Sequence, residues 1–519
     1  MADGPGGAGA GRPGGPQRHR GPRRRSLTRP AERTRRGDPA RTAAYEVMRA
    51  VDGGAYTNLE LPRTLRAAGL TGRDAAFATE LVYGATRLRG LYDPIIARAA
   101  GRPLKRLDAP VLDLLRLGAH QLLGMRVPVH AACDTTVALA RDAHGPGVAG
   151  LVNAALHRIS ERSRQDWLAE VAPEQLDDLD RLAITGSHPA WILRALRSAL
   201  LGHATASEDD VAQQLADLVA ADNEPAPVHL VARPGLAEVA ELTQAGAVRG
   251  AWAPTAARLV DGGDPGAIPA IRQGRAAVQD EGSQLVALAL AAAPVLPVES
   301  RDPTAATATA TGAPAERWLD LCAGPGGKAG LLAALARQRG AVLFANEVSE
   351  HRTQLVRHTV AAAVAAGAQV YVGTGDGREI GAAEPATYDR VLLDAPCTGL
   401  GALRRRPEAR WRRTAADVPT LVALQGELLD AALRAVRPGG VVLYATCSPH
   451  LPETRYVVAD ARKRAAAAGI EVEELDTQAV VGQVAAAPLD GLGRAPYVQL
   501  WPHRHGTDGM FAALLRRVG

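Results

Sequence analysis

Two apolar runs in the C-terminal part of the chain each end on a cysteine. Val391-Leu392-Leu393 leads into Asp394, Ala395, Pro396 and Cys397, and further on "VVLYATCSPH" leads into Cys447. Open α/β sheets place their chemistry at the carboxyl ends of their strands. Two thiols there, with Asp394 beside them, point to nucleophilic cysteine chemistry. The thiolate is the reactive form, so such a site must lower a thiol pKa. The other two cysteines read differently. Cys133 lies in a helical stretch and is assigned to the core, and Cys322 lies in a glycine-rich loop, where packing and backbone contact are its expected roles.

That loop is "LDLCAGPGGKAG". It follows a strand and opens a helix, so Cys322, Ala323, Gly324, Pro325, Gly326, Gly327 and Lys328 form a cradle in which backbone passes close to a ligand at a helix N-terminus. It is neither GxGxxG nor a P-loop, because Lys328 is followed by Ala329. The next strand ends at Glu347, placed to accept from two ribose hydroxyls, and the third leads to "GTGDGRE". Asp376 there accepts either from an adenine amino group or from its own backbone turn. Together these pieces describe a nucleoside pocket without a diphosphate fingerprint. S-adenosylmethionine fits it better than a dinucleotide, with Asp394 close to the donor.

These residues need a sheet to hold them. From 317 to the C-terminus strand and helix patterns alternate, which predicts a mostly parallel sheet with helices on both faces, an α/β domain over 317–519. Residues 39–163 space their apolar positions three and four apart, and predict a bundle of six helices. Residues 164–297 read as a linker and a small α+β unit, into which the helix of "AAVQDEGSQLVALALAAA" is placed. Residues 298–316 are a Pro/Ala/Thr-rich stretch read as a flexible surface loop. No internal repeat is evident.

The net charge of +5 is unevenly distributed: residues 1–38 hold ten arginines against Asp3, Glu32 and Asp38, so the remainder is slightly acidic. This Arg/Gly/Pro-rich tail cannot bury enough apolar surface to order itself, and is read as disordered. It is either a polyanion tether or a solvated extension. No apolar run is long enough to span a bilayer, and the N-terminus lacks the apolar core of a secretory signal. With four cysteines and no CxxC pair, neither a zinc site nor a disulfide framework is expected. The expectation is a cytoplasmic, metal-free monomer.

"DLCAGPGGK", "DAPCTGLGALRRRPE" and "YATCSPHLPET" resemble the motifs of RNA cytosine-5 methyltransferases, as do "NEP" at 223–225, "VQDEGSQ" at 278–284 and "GTDGMFAALLRR" near the C-terminus. "ELVYGATRLRG" and "LVNAALHRI" are similar to the NusB RNA-binding domain. The combination resembles the Sun/RsmB family of 16S ribosomal RNA methyltransferases. The resemblance implies a multidomain fold: an all-α NusB-like bundle, a small α+β unit and a Rossmann-like methyltransferase domain. It implies S-adenosylmethionine as donor, and 16S ribosomal RNA or a small-subunit assembly intermediate as partner.

Carbon-5 of cytosine is a poor nucleophile. Thiolate addition at carbon-6 makes carbon-5 enamine-like and able to take a methyl group; loss of the carbon-5 proton then expels the thiol. Either cysteine has the chemistry to attack. The resemblance assigns attack to Cys447, assistance in adduct breakdown to Cys397, and contact with the cytosine ring to Asp394. His450, just past Cys447, either tunes the thiol or is a loop histidine. Arg404, Arg405, Arg406, Arg410, Arg412 and Arg413 surround Trp411 beside the site, and phosphate contact is expected of them, with intramolecular ion pairs as the alternative. Two other functions remain open: the same chemistry on transfer RNA, and a non-catalytic RNA-binding or antitermination factor.

Overall fold

In the computed structural model, residues 37–260, 263–297 and 315–519 are described. Apart from their last two residues each, the N-terminal tail and the 298–316 loop lie outside them.

The N-terminal unit is helical because its sequence presents apolar stripes bounded by caps. Asp38 accepts from the Arg41 amide and starts the first helix, Pro39–Asp52, with proline in its first turn. Thr57–Ala67, Gly72–Arg87, Arg89–Ala100, Ala109–Leu123, Val129–His144 and Pro146–Ser160 follow. The described helices are thus seven where the sequence predicts six. "GRDAAFATELVYGATRLRGLYDPIIARAA", which reads as one helical run, divides at Leu88. Helical periodicity does not register a one-residue break. Gly90 lies against Ser187 and Trp411, so the break carries the chain along a neighbouring unit. Leu81, Leu91, Ile95, Leu114, Val152 and Cys133 share one core.

The stretch read as a linker is itself folded. Helices Ala190–Gly202 and Val211–Asn223 share a core with Leu400, Leu403 and Trp501 of the catalytic unit. An antiparallel sheet follows, made of β1 (His229–Ala232), β2 (Ala247–Arg249), β3 (Ala256–Leu259) and β4 (Ala276–Val278), in the order β2-β3-β1-β4. The next helix, Glu281–Ala292, is apolar almost all round, the pattern of a helix buried on every side. It packs in the same core as the second sheet, so it belongs with the catalytic unit and not with the α+β unit to which its position in the sequence assigned it.

The second sheet comprises β5 (Arg317–Asp320), β6 (Val342–Glu347), β7 (Gln369–Thr374), β8 (Tyr388–Asp394), β9 (Val436–Thr446), β10 (Val472–Glu474), β11 (Val498–Gln499) and β12 (Phe511–Arg517). Its order is β10-β12-β9-β8-β5-β6-β7, with β11 pairing β12. β5 through β9 pair in parallel, and β12 runs antiparallel to β9. The chain leaves β5 toward β6 and returns beyond it to β8, so the sheet reverses direction between β5 and β8. Ligands of doubly wound sheets bind at such a switch. Asp320 and Asp394 are the last residues of these two strands.

Candidate active site

β8 is buried on both faces, as central parallel strands are, and its last rung is the Ala395 amide donating to the Ala445 carbonyl. Pro396 has no amide hydrogen, so the ladder stops and Cys397 enters a loop. β9 ends one residue before Cys447. The two loops are stitched together: the Gly401 amide donates to the Cys447 carbonyl at 2.9 Å, and Thr398 Oγ1 lies 3.1 Å from Ser448 Oγ. A Cβ on Gly401 would come within 2.0 Å of the Gly509 carbonyl oxygen, so only glycine allows this approach.

The stitching brings Cys397 Sγ to 3.5 Å from Cys447 Sγ. Their surroundings differ. The contact with Cys397 lowers the Cys447 pKa below the ordinary thiol value, and the Arg406 and Lys328 charges add to this, although burial and Asp394 oppose it. Cys397 is pushed well up, by its contact with Cys447, by burial and by the Glu453 and Asp394 charges. Cys447 is therefore the more readily ionised thiol of the pair.

Lys328 donates to Asp394 Oδ2 at 2.7 Å. Burial opposes its charge, but Asp394 holds the ammonium above the ordinary lysine value. The glycine cradle leads into helix Gly327–Arg339. Glu347 sits beneath the cradle, accepting from the Gly324 amide at 3.0 Å and the Ser349 amide at 3.1 Å, with Arg352 alongside. A Cβ on Gly324 would lie 2.1 Å from Glu347 Oε2, so a side chain there would fill the space the loop needs. Cys322 is packed in the core beside β5, and burial raises its pKa.

Asp376 takes the second of its two expected roles. It caps helix Gly377–Ala383 by accepting from the Arg378 amide and pairs with the Arg378 guanidinium at 2.6 Å. It lies outside the lining of the cavity that holds the cradle.

The arginine cluster requires a correction: four of the six arginines expected on RNA are bound within the protein. Arg404 donates to the Gly506 carbonyl at 2.7 Å. Arg405 pairs with Asp280 at 2.6 Å and Asp508 at 2.7 Å. Arg410, fully buried, donates to the Arg87, Ser187 and Asp222 carbonyls and to Asn223 Oδ1. Arg412 donates to the Val51 and Ala55 carbonyls. Arg405, Arg410 and Arg412 fasten the middle and N-terminal units to the catalytic unit, whereas Arg404 bonds within it. Arg406 differs: it is exposed, lies over the Tyr56 ring, and faces the thiols' cavity. His450 lies 3.7 Å from Glu453 and faces a separate groove with Trp191 and Tyr456.

Two important residues were not singled out from the sequence. Glu453, fully buried, accepts from the Thr398 amide at 2.7 Å and from Ser448 Oγ at 2.7 Å, and so anchors both cysteine loops. Its place in "CSPHLPE" marks only an acid near a cysteine. Asp320 is completely buried, and among the described residues no side chain bonds its carboxylate, with only the Cys322 amide near enough to favour its charge. Burial first, then the Asp394 charge, push it up to about 8. The signal was an acid closing the strand before the glycine loop.

The cavity of about 620 Å³ is lined by Asp320, the cradle, Lys328, Asp394, Arg406 and Cys447. Its donor set suits a nucleoside carrying an amino acid. A helix N-terminus suits a carboxylate, and the Asp320 carboxyl, bonded by no side chain, suits an ammonium. This is the site of a Rossmann-like, S-adenosylmethionine-dependent methyltransferase.

The comparisons with known proteins narrow the class. The family described as 16S rRNA methyltransferase RsmB/F matches residues 309–516, and the NusB family matches residues 38–161. Ribosomal RNA small subunit methyltransferase B of Pseudomonas putida (strain KT2440) is 31% identical over 494 residues, 93% of this chain and 99% of that protein. The protein of the same name from Xanthomonas campestris pv. campestris is 32% identical over 496 residues, 94% of this chain and 99% of its own. Rv1407 of Mycobacterium tuberculosis, a methyltransferase by name, is 50% identical over 506 residues, 96% of this chain and 99% of its own. The crystal structure of PH0851 shares the fold, with a TM-score of 0.72 at 22% identity over 92% of this chain and 99% of that one. The chain belongs to the RsmB/F methyltransferase family and carries a NusB family domain.

No described helix is long and apolar enough to cross a membrane, and no group of potential metal ligands occurs among the described residues.

Proposed function

We propose that the chain methylates carbon-5 of a cytosine in 16S ribosomal RNA through a covalent adduct with Cys447. The observation that carries the reading is the thiol pair, 3.5 Å apart, in which the Cys447 pKa is lowered and the Cys397 pKa raised. The names of the relatives, which specify small-subunit ribosomal RNA, support the substrate.

Bound S-adenosylmethionine supplies an electrophilic methyl group on a sulfonium, which leaves as a thioether with the electron pair of the broken bond. The residues that would hold it are Cys322 to Lys328 and Asp320, with Glu347 fixing the loop from below. Cys447 attacks carbon-6 and forms a carbon–sulfur bond. Asp394 contacts the ring and, paired with Lys328, holds charge beside it. Carbon-5, now enamine-like, forms its bond to the methyl carbon. Once the carbon-5 proton is removed, the carbon–sulfur bond breaks, cytosine recovers its double bond, and Cys447 leaves as thiolate. Cys397, touching the departing sulfur, assists this step. The NusB-like bundle and the α+β unit grip RNA, and the grip is salt-sensitive.

The test is transfer of labelled methyl to unmodified 16S ribosomal RNA, with transfer RNA beside it. Wild type labels the ribosomal RNA, Cys447→Ala does not, and Cys397→Ala accumulates a protein–RNA adduct resistant to denaturation. Labelling of transfer RNA alone would overturn the substrate. Labelling of neither by folded protein would leave a non-catalytic RNA-binding role.

A further inference from the structure

The catalytic unit does not close its cavity alone. Asn58, Thr79, Tyr83 and Arg87, all from the N-terminal helical bundle, line the same space as Lys328, Asp394 and Cys447. Arg87 stands out among them. Its backbone is fixed, because its carbonyl accepts from Ser187 Oγ at 2.8 Å and Arg410 Nη1 at 3.2 Å. Its side chain is not. Arg87 is 6% exposed, its buried Nε has no partner, and among the described residues its guanidinium has no hydrogen bond or ion pair.

A charge this deeply buried without a partner is costly, and folded proteins keep one where a ligand completes it. Glu80 and Glu224 favour the Arg87 charge from a distance, but neither makes an ion pair or hydrogen bond with it. Other charges of the wall are matched among themselves: Arg405 is held by Asp280 and Asp508, and Lys328 by Asp394. Two guanidiniums on the cavity wall are left with neither a hydrogen bond nor a carboxylate in contact: Arg87 and the exposed Arg406. The methyl donor is a poor match for two cations, since it carries a sulfonium and an ammonium against one carboxylate. A phosphodiester is the anion they fit.

We propose that Arg87 binds a phosphate of the RNA strand that carries the target base, so that the N-terminal bundle supplies part of the catalytic cavity and not only a remote RNA grip. The inference rests on the reading that the substrate is RNA. Arg406 approaches the same strand from the catalytic unit, and the Tyr83 hydroxyl, free of protein partners among the described residues, lies beside it.

The test compares wild type, Arg87→Met and Arg87→Lys for binding of transcribed 16S ribosomal RNA from 50 to 200 mM salt, a range of about four-fold over which one lost phosphate contact is readable. Arg87→Met is expected to weaken binding by about ten- to a hundred-fold at low salt and to make the log–log salt slope shallower by about one. Arg87→Lys keeps the slope. S-adenosylmethionine affinity does not change. The melting temperature of Arg87→Met stays level or rises, because no intramolecular partner is lost. An unchanged salt slope in Arg87→Met would overturn the inference, as would loss of donor affinity alone, which would assign the cation to the donor carboxylate. A fall in melting temperature matched by equal losses in both affinities would make Arg87 structural. Failure of wild type to bind or methylate any RNA would instead sink the RNA reading itself, and this inference with it.

Discussion

Cys397 Sγ stands 3.5 Å from Cys447 Sγ, and the pKa values of the two thiols are shifted in opposite senses, Cys397 up and Cys447 down. That asymmetry follows from their mutual contact and from what each sulfur faces. The Lys328 and Arg406 charges favour ionisation of Cys447 against Asp394, and the Glu453 and Asp394 carboxylates oppose it at Cys397. One sulfur is thereby prepared to attack and the other to assist departure.

Alkylation should reveal this asymmetry. Cys447 should react with iodoacetamide at lower pH than Cys397, as read by mass spectrometry of the two peptides. Cys397→Ala removes the strongest stabilisation of the Cys447 thiolate, so the pH profile of Cys447 labelling moves toward alkaline pH. Lys328→Met moves it in the same direction, because the thiolate loses a nearby cation. Equal labelling of both thiols across the pH range would contradict the assignment.

Glu453 acts on the thiols without touching substrate. Burial would raise its pKa, but the neighbouring His450 and the donors Thr398 and Ser448 hold it below the usual glutamate value, and so charged. Glu453→Gln keeps its size but turns one of the two accepting oxygens into a donor, so either the Thr398 amide or the Ser448 hydroxyl loses its acceptor. Methyl transfer should fall by about ten- to a hundred-fold as the loops shift. Cys397 should also become more easily alkylated at a given pH, since a carboxylate that opposed its ionisation is gone. A merely structural role would reduce transfer and leave the Cys397 profile unmoved.

Asp320 makes donor binding pH-dependent. With its pKa pushed up to about 8, it is protonated at pH 7. An ammonium brought against it favours the carboxylate, so binding S-adenosylmethionine releases a proton. Calorimetry in buffers of different ionisation enthalpy measures this release, and Asp320→Asn abolishes it. The same shift links to stability. Between the unfolded and folded pKa values the folded state holds the extra proton, so this contribution is complete below the unfolded value and lost as pH rises toward 8. The melting temperature of Asp320→Asn should therefore rise relative to wild type from pH 5 to pH 8, a span of about three units.

Arg410 and Arg406 make a paired prediction. Arg410→Met takes a donor from the Ser187 and Asp222 carbonyls and Asn223 Oδ1, and one of two from the Arg87 carbonyl, and should cost about 2–4 kcal/mol, seen as a lower denaturant midpoint with little change in RNA binding per folded molecule. Arg406→Gln, at an exposed position, should leave stability within about 0.5 kcal/mol and weaken RNA binding, most at low salt. The reverse pattern would return Arg410 to the RNA-contacting role first expected from the sequence and would make Arg406 structural.

The sequence alone was enough to reach the glycine cradle, the two strand-end cysteines and Asp394. Each is a local arrangement: an apolar strand, a residue that stops its ladder, then a reactive side chain. Pro396 after β8 and the glycines after β5 carry that information within a few positions of the site. The parallel sheet was legible for the same reason, since strand and helix periods are local. What the arginines do was not. A guanidinium reads alike in sequence whether it meets a phosphate or a carbonyl, and the carbonyls that take Arg410 and Arg412 come from Arg87, Ser187, Asp222, Val51 and Ala55, far away along the chain. The same holds in reverse for Arg87, an unremarked residue in a helical run, whose importance lies in partners it lacks. Whether a charge is met, and by what, depends on which elements pack together, and only the tertiary structure decided that.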